Sequence, residues 1–183
     1  SAKRTPVTPL TREHDTEPPS PVWQNQAGKF VAWTVEQLWQ NDAALAYLRG
    51  RGLADETTRS AKLGYNPREM YRDGSSWGLQ PEAGGKERRV WLPRGWVIPC
   101  EVSNHLRYVK VRRANELAGN AAKYIAISGS KKAGVIYGLD DARGSWDVVL
   151  CEGELNALVL RQELAGVAAV ISVGDAGNLP GPE

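Results

Sequence analysis

Apolar and polar positions follow their clearest pattern near the end of the chain. An apolar run at 148–151 stops at Glu152, Gly153 comes next, and leucines at helical spacing follow. That spacing predicts an amphipathic helix that packs on a sheet, and a further apolar run at 167–173 predicts a second strand. Because strand–helix–strand crossovers join parallel strands, we expect a small, right-handed, parallel β-α-β unit. Glu152 then lies at the carboxyl end of its first strand.

The position of Glu152 allows two interpretations. Open α/β sheets bind their ligands at the carboxyl ends of their strands, so a carboxylate there can hold a metal ion or move a proton. The same position is equally compatible with an ordinary glutamate of a solvated loop.

The segments before this unit predict a separate, strongly bent sheet. Its second strand alternates, with Val109 and Val111 on one face and Tyr108, Lys110 and Arg112 on the other. The predicted strands are 96–99, 106–113, 123–127 and 135–139. We therefore expect an α/β fold: an α+β N-terminal subdomain with a small bent sheet, followed by the start of a Rossmann-like parallel unit.

The first part of the chain divides into a tail and a helical region. Prolines among Thr, Ser and Glu in residues 1–30 are typical of a linker or of a tail on the surface. Thr34 and Gln37 form a capping-box pattern, which predicts a helix that ends near the glycines of 49–52. Asp55 is expected to cap a short helix after it.

Three regions follow from these patterns. Residues 1–30 are expected to be the tail, 31–143 the N-terminal subdomain and 144–183 the first part of the parallel domain. Within the subdomain, the Gly-rich and charged stretch 69–94 is expected to be loop with a weakly helical piece.

Composition narrows the class of protein. The 183 residues, with 42% hydrophobic and 24% charged side chains, suit one globular domain or two small ones. No apolar run approaches the roughly 20 residues of a membrane span, and no secretory signal opens the chain. Cys100 and Cys151 each lie within an apolar run, which favours reduced core residues in a cytoplasmic protein. With only two histidines, no four-ligand zinc spacing occurs.

Charge is unevenly distributed along the chain. Residues 86–143 hold twelve Lys and Arg against five Asp and Glu, whereas 144–183 hold one against six. A basic middle followed by an acidic end suits a polyanion track that leads to a metal-dependent centre. The alternative is a mixed surface whose charges happen to segregate along the sequence.

The strand that ends in Glu152 and Gly153 resembles the opening of the TOPRIM domain. Bacterial-type DNA primases, type IA and type II topoisomerases and some nucleases share this domain. Its other signature, a magnesium-chelating Asp-x-Asp pair, does not occur in this chain. The resemblance therefore implies a fragment cut before the metal-binding half of its domain, which alone is expected to be inactive. The N-terminal zinc-ribbon module that bacterial-type primases normally carry is also missing from these residues, either trimmed away or supplied elsewhere.

A longer set of ordered matches separates primases from other TOPRIM proteins. From about 43 to 174 the chain resembles the catalytic core of bacterial-type (DnaG-like) primases, including phage or plasmid types. The matching segments are Tyr47–Leu53, Leu63–Pro67, Trp96–Pro99, Val111–Arg113, Lys123–Ser128 and Ile136–Leu139. One departure is that Ala126 and Ile127 precede Ser128, where the family has Asn-Ser directly after its Lys-Tyr-Leu.

The resemblance implies primer synthesis: a 3′-hydroxyl attacks the α-phosphate of a ribonucleotide on single-stranded DNA, and pyrophosphate leaves. Magnesium or manganese ions would serve this chemistry, with Glu152 as their ligand or as a general base beside Gly153. The implied partners are the DNA template, ribonucleoside triphosphates and a replicative helicase, in the cytoplasm and without a membrane.

The resemblance and the charge pattern also imply binding residues for nucleotide and template. Lys110, Arg112, Arg113 and Lys123 would neutralise phosphates, and Tyr124 or Tyr108 would stack on a base. A half-buried aromatic of a strand is the equally compatible alternative for each tyrosine.

Two other functions remain open from the sequence. The first is another TOPRIM protein, a nuclease or a topoisomerase. The second is a non-catalytic module that binds single-stranded nucleic acid or docks on a helicase. An Asp-x-Asp pair in the sequence downstream would favour the enzyme.

Overall fold

This computed structural model describes residues 17–114 and 122–174, which form five α-helices, one short 3-10 helix at Ser75–Trp77 and eight strands. The helices are α1 (Pro21–Trp39), α2 (Asp42–Gly50), α3 (Asp55–Ser60), α4 (Leu139–Ala142) and α5 (Glu154–Glu163). The strands are β1 (Gly64–Asn66), β2 (Met70–Asp73), β3 (Arg89–Leu92), β4 (Gly95–Val102), β5 (His105–Arg112), β6 (Tyr124–Ala126), β7 (Val148–Cys151) and β8 (Ala169–Ser172).

An antiparallel sheet with the strand order β1-β4-β5-β6 lies at the centre. Its two long strands, β4 and β5, meet at a tight turn in which Ser103 and Asn104 have φ angles of 52° and 61°. Positive φ at both central residues is the geometry that matches the twist of a two-residue hairpin. Three of the four predicted strands, those at 96–99, 106–113 and 123–127, are thereby confirmed, with shifted ends.

Both faces of this sheet are covered. Val109 and Val111 belong to a core that α1 and the β2–β3 hairpin complete, and Tyr108 belongs to a second core with α2 and α5. Strand β4 alternates in the same way between Val97 and Ile98. The predicted assignment of faces in β5 is confirmed, but the face expected to be polar is buried as well.

The first helix begins within the segment that was expected to be a tail. Ser20 caps it by accepting a hydrogen bond from Trp23 N at 3.2 Å, and Pro21 occupies the first turn, where a missing N–H costs nothing. The tail predicted over 1–30 is therefore wrong from residue 21 onward, because apolar side chains at helical spacing pack into the core. The predicted cap Thr34 lies inside the helix, buried, and donates to a carbonyl three residues earlier at 2.8 Å.

The single helix predicted up to 49–52 is two helices that meet at Asn41. The Asn41 side chain caps α2 by accepting a hydrogen bond from Ala44 N at 2.9 Å. Asp55, the predicted cap of the next helix, is its first residue instead, and its carboxylate binds the Arg49 guanidinium at 2.7 and 2.8 Å.

Strands β2 and β3 form a hairpin where loop and weak helix were expected over 69–94. Tyr71 and Trp91 are cross-strand partners, and the Glu69 carboxylate accepts a hydrogen bond of 2.7 Å from each. At Gly74 a Cβ would lie 2.6 Å from the carbonyl oxygen of residue 88, so glycine lets the two arms approach. Cross-strand pairs of this kind stabilise a hairpin, and Val90 and Leu92 of β3 are buried in the core beside α1.

The parallel β-α-β unit is confirmed. Strands β7 and β8 pair in parallel, and α5 connects them. Leu155 and Leu158 of this helix are buried in the second core together with residues of the central sheet. The structure is thus the predicted mixed α/β fold, with an antiparallel sheet, helices and a small parallel unit near the C-terminus.

One predicted strand, 135–139, is wrong. Tyr137 makes an isolated antiparallel bridge to Ser172, and Gly138, with φ of 78°, then turns the chain into α4. A Cβ at Gly138 would lie 2.9 Å from the carbonyl oxygen of Val170, so the turn needs glycine. Among the described helices, none combines the length and the apolar character that crossing a membrane requires.

Replacing Leu158 by alanine tests whether α5 is part of the core. Leu158 is 1% exposed, so its loss should lower the free energy of unfolding by about 2–5 kcal/mol. The matched control is Leu150→Ala, a site 52% exposed, which should cost less than about 0.5 kcal/mol. Urea unfolding followed by circular dichroism measures both, and equal losses would contradict the packing described.

Candidate functional site

Glu152 lies at the end of β7, as the sequence predicts, and is exposed. Its carbonyl oxygen accepts a hydrogen bond from Ser172 Oγ at 2.9 Å, and the same Oγ accepts one from Gly174 N at 3.0 Å. The carboxyl ends of the two parallel strands are thereby tied together. This bonding fixes the backbone of Glu152 and leaves its carboxylate on the surface.

Gly153 connects β7 to α5 in an extended conformation, with φ of −119° and ψ of 146°. A Cβ added here would have no heavy atom within 4 Å. Neither φ nor packing therefore demands a glycine, and its effect is to leave open space beside Glu152.

Glu154, which the sequence did not single out, is the most buried acidic side chain of the region, 1% exposed. Its Oε1 lies 2.5 Å from Lys110 Nζ and accepts a hydrogen bond from the Tyr108 hydroxyl at 2.9 Å. Lys110 Nζ also donates to the Gly174 carbonyl at 2.8 Å. We call Tyr108, Lys110 and Glu154 the internal charge cluster.

Burial governs the titration of the groups around this cluster. It raises the pKa of the Tyr108 hydroxyl far above its usual range, and nearby Cys100 and Glu154 add to the effect. Burial also raises the pKa of Cys100 to about 12. Both groups are therefore neutral at physiological pH and serve as packing and hydrogen-bonding groups. Stacking of Tyr108 on a base is therefore a wrong expectation, because the ring is only 2% exposed.

Lys110 does not take the position expected for a phosphate-binding cation. It was expected to neutralise phosphates, but its side chain is 6% exposed and its ammonium is bound inside the protein. The face that carries it packs against α5, which is why the cation turns inward. The sequence does hold one signal for this: a lysine between apolar neighbours on a strand needs a buried acidic partner. It does not identify that partner, because Glu154 lies 44 residues further along the chain.

Arg112 and Tyr124 lie together in an aromatic setting. The Arg112 guanidinium stands over the rings of Tyr47 and Trp96, with Cζ 4.6 and 5.4 Å from the ring centres, and the residue is 4% exposed. Burial raises the pKa of Tyr124, and the nearby Arg112 and Arg51 oppose that rise. Tyr124 itself is 39% exposed and so forms the open side of this arrangement.

Arg51 connects these residues to the parallel unit. It donates to the Tyr47 hydroxyl at 3.2 Å and to Asn156 Oδ1, in the first turn of α5, at 2.8 Å. Asn156 is four residues from Glu152, so Arg51 brings the aromatic setting to the same side of the molecule. We call Tyr47, Arg51, Trp96, Arg112 and Tyr124 the arginine–aromatic cluster. Arg51 belongs to a segment that sequence reasoning noted, but its role depends on a contact 105 residues away.

The Nε donors of Arg51 and Arg112 have no hydrogen-bond acceptor among residues 17–114 and 122–174, although both atoms are buried. A buried donor without an acceptor is rare and calls for an explanation. Trp39 and Arg161 carry further buried donors of this kind, so one such donor does not by itself mark a ligand site. This cluster differs in that two of them lie together near the exposed Tyr124.

Arg113 points to a different part of the surface. Its guanidinium lies 5.5 Å from the Trp91 ring, on the face of the hairpin that also carries Tyr71, which is 46% exposed. Arg89 lies over the Tyr71 ring at 4.8 Å. Lys123 is exposed beside the end of β5, where its carbonyl accepts the backbone N–H of Arg113 at 2.8 Å. We call Tyr71, Arg89, Trp91, Arg113 and Lys123 the hairpin surface.

The TOPRIM resemblance implies a magnesium ion, and the described residues at the end of β7 offer one suitable ligand for it. Magnesium prefers carboxylate oxygens, and the exposed Glu152 supplies one. In the described ranges no three His, Cys, Asp or Glu side chains come together as a ligand group. Glu152 thus fits such an ion in chemistry, and the described residues do not complete its site.

Comparison with known proteins points to one group. No family model matches the chain. It is 30% identical over 152 residues to the DNA primase of Deinococcus radiodurans, a match that covers 73% of this chain and 26% of that protein. The RNA polymerase domain of Mycobacterium tuberculosis primase DnaG superposes with a TM-score of 0.63 at 21% identity, over 88% of this chain and 58% of that one. The chain has the fold of the DnaG-type primase core.

Two further DnaG-type structures support this assignment. The Aquifex aeolicus primase, solved with its zinc-binding and RNA polymerase domains, gives a TM-score of 0.62 at 21% identity and covers 85% of this chain and 42% of that one. A DnaG catalytic domain bound to single-stranded DNA gives 0.61 at 18%, covering 83% and 55%. The predicted resemblance to DnaG-like cores is confirmed, and the chain spans about a quarter of the curated relative and about half of these solved chains.

Removing the cation of the internal charge cluster should destabilise this DnaG-type core strongly. Lys110→Met leaves the Glu154 carboxylate buried without its ion partner, which should cost about 3–5 kcal/mol in the free energy of unfolding. The double variant Lys110→Met with Glu154→Leu should recover most of that loss, because no buried charge remains. Chemical denaturation measures all three proteins.

The matched control for this cycle is Lys62→Met. Lys62 pairs with Glu101 at 2.8 Å, but the two side chains are 54% and 45% exposed. Loss of that pair should cost less than about 1 kcal/mol. Similar losses at the buried and the exposed pair would show that Lys110 is not held by Glu154.

Proposed function

We propose that the chain is part of a DNA primase that makes short RNA primers on single-stranded DNA, in which Glu152 and the arginine–aromatic cluster belong to one centre. The observation that carries this proposal is the pair of buried, unsatisfied Nε donors on Arg51 and Arg112, linked through Asn156 to the turn after Glu152. The fold and the sequence match to DnaG-type primases support the same reaction class.

Arg112 is suited to hold a phosphate group of an incoming ribonucleoside triphosphate. Aromatic rings on one side fix its planar guanidinium, and an arginine fork makes two parallel hydrogen bonds to phosphate oxygens. The residue is almost fully buried, whereas Tyr124 near it is exposed, so a phosphate would enter beside Tyr124. A terminal phosphate meets that condition better than a template strand does.

The hairpin surface is suited to the template. Exposed Tyr71 and half-buried Trp91 offer ring faces for stacking, and Arg89, Arg113 and Lys123 bring positive charge around them. Proteins that bind single-stranded nucleic acid without sequence preference combine aromatic rings, which stack on bases, with cations, which bind the backbone. The solved DnaG catalytic domain bound to single-stranded DNA supports this partner.

Glu152 would contribute one ligand to the magnesium or manganese ions that nucleotidyl transfer requires. Such ions offset the negative charge that develops on the phosphates during the transfer. The open space at Gly153 supports a ligand at this position. The remaining ligands would come from beyond the described residues, and a replicative helicase and a cytoplasmic location follow only from the proposed role in replication.

A module that binds single strands without catalysis is the second candidate. An Asp-x-Asp pair that is also missing from the sequence downstream of these residues would favour it. The hairpin surface would then keep its role, and Glu152 would have none. A nuclease or topoisomerase has weaker support, because the similar structures are primases.

Glu152→Gln in the complete protein separates the enzyme from the binding module. Primer synthesis should fall by about 100-fold or more, because the amide neither binds a metal ion nor accepts a proton as the carboxylate does. Binding of single-stranded DNA and the unfolding temperature should stay close to the parent values. Glu163→Gln, an exposed glutamate at the end of α5, is the matched control and should retain synthesis. Full synthesis by Glu152→Gln would favour the module.

Substitutions of Arg112 and of the pair Arg113 and Lys123 should affect different properties, the KM for ribonucleotides and the binding of DNA. Arg112→Lys keeps the charge but loses the fork, so the KM for ribonucleotides should rise roughly tenfold or more, the cost of a charged hydrogen bond. The double variant Arg113→Ala with Lys123→Ala should instead weaken DNA binding and lower the salt dependence of log K by about 1.4, or 0.7 for each lost phosphate contact.

Steady-state primer synthesis and fluorescence anisotropy at several salt concentrations measure these effects. The control for the second variant is Arg49→Ala with Lys62→Ala, two exposed cations that are already paired with carboxylates. An unchanged salt dependence in the Arg113 and Lys123 variant would place the template elsewhere.

A further inference from the structure

A groove of about 360 Å³ lies between α1 and the β2–β3 hairpin. Lys29, Phe30 and Trp33 line it from one side of the helix, at positions three and four residues apart. Arg72 lines it from the hairpin, with Trp77 below, and Arg68 stands where the chain enters β2. We call this space the hairpin groove.

The charge of the hairpin groove is entirely positive. Lys29, Arg68 and Arg72 line it, and no aspartate or glutamate does. All three are exposed, and none forms a salt bridge with another of the described residues. Arg72 donates only to the carbonyl of residue 71 at 3.0 Å and to a methionine sulfur. Cations held close together without a neutralising carboxylate favour an anionic ligand, and phosphate is the group that such donors bind best.

The walls of the hairpin groove favour a flat ring beside that anion. Phe30 and Trp77 are nearly buried, and the half-buried Trp33 lies 6.3 Å from Phe30, measured between ring centres. An indole edge of this kind offers apolar contact to a planar group. Ligand pockets span about 300–1,000 Å³, so this space suits one nucleotide and is too small for a duplex.

The hairpin groove lies on the side of the central sheet away from Glu152. Phe30 and Trp77 pack in the core that holds Val109 and Val111, whereas α5, which follows Glu152, packs on the other face. A ligand there is therefore not part of the centre proposed for primer synthesis.

We propose that the hairpin groove binds one nucleotide, with its base against Trp33 and its phosphate among Lys29, Arg68 and Arg72. The same chemistry serves a free nucleotide and a single nucleotide of a bound strand. In either case tight binding needs both the base and the phosphate, because the aromatic wall contacts only the base and the cations bind only the phosphate.

Titration with AMP, followed by the indole N–H signals in NMR spectra, tests this site in the 183-residue chain. The Trp33 signal, assigned with Trp33→Phe, should shift and saturate, whereas that of Trp146, which is 91% exposed and lies outside the groove, should not move. Adenosine and ribose 5-phosphate should each bind at least roughly tenfold more weakly, since each lacks one half of the ligand.

Charge variants complete the experiment. Lys29→Ala and Arg68→Ala should each raise the Kd for AMP by roughly tenfold. The matched controls Lys86→Ala and Lys131→Ala remove exposed cations outside the groove and should change nothing. An oligothymidylate that shifts Trp33 at lower concentration than AMP identifies a strand as the source, and tighter binding of AMP identifies a free nucleotide.

Three results would overturn the proposal. The first is a Trp33 signal that AMP does not shift, and the second is adenosine that binds as tightly as AMP. The third is binding that survives both charge variants. Because the assay does not involve primer synthesis, such a failure leaves the role proposed for Glu152 untouched.

Discussion

The ion pair between Lys110 and Glu154 joins the two halves of this structure. It connects the second long strand of the antiparallel sheet to the first turn of α5, and the same ammonium holds the Gly174 carbonyl beyond β8. A charge buried at this depth costs several kcal/mol unless its partner is present. The parallel unit therefore cannot shift on the sheet without exposing or separating these charges, and the position of Glu152 relative to β5 depends on them.

A sheet covered on both faces changes what its polar side chains do. Lys110 and Arg112 follow one another at alternate positions on one face of β5, and α5 or the ring of Tyr47 covers each of them. The first is neutralised by a carboxylate, while the second has aromatic rings and an unused donor. Only the second is left with a capacity to bind an anion. Lys110 and Arg112 look equivalent in the sequence, but their buried surroundings give them different roles.

Local patterns predicted the parallel unit, because strand, turn and helix follow one another within 25 residues and each has its own period. They failed for the hairpin of β2 and β3, whose strands are only four residues long each and are held by the pair Tyr71 and Trp91 across a long connection. They also missed the start of α1, since prolines around Ser20 suggested a tail. Contacts such as that of Arg51 with Asn156 bridge 105 residues, a distance at which no periodicity carries information.

The arginine–aromatic cluster shows how the fold prepares a binding site at little further cost. Both terminal nitrogens of Arg51 donate hydrogen bonds, and Arg112 is confined by rings, so neither side chain has much rotamer freedom left to lose when a ligand arrives. A flexible surface arginine would lose that freedom on binding and would hold phosphate more weakly for the same contacts. The packing that stabilises the sheet therefore also orients the guanidinium groups, and the binding capacity of this face rests on the same contacts as its stability.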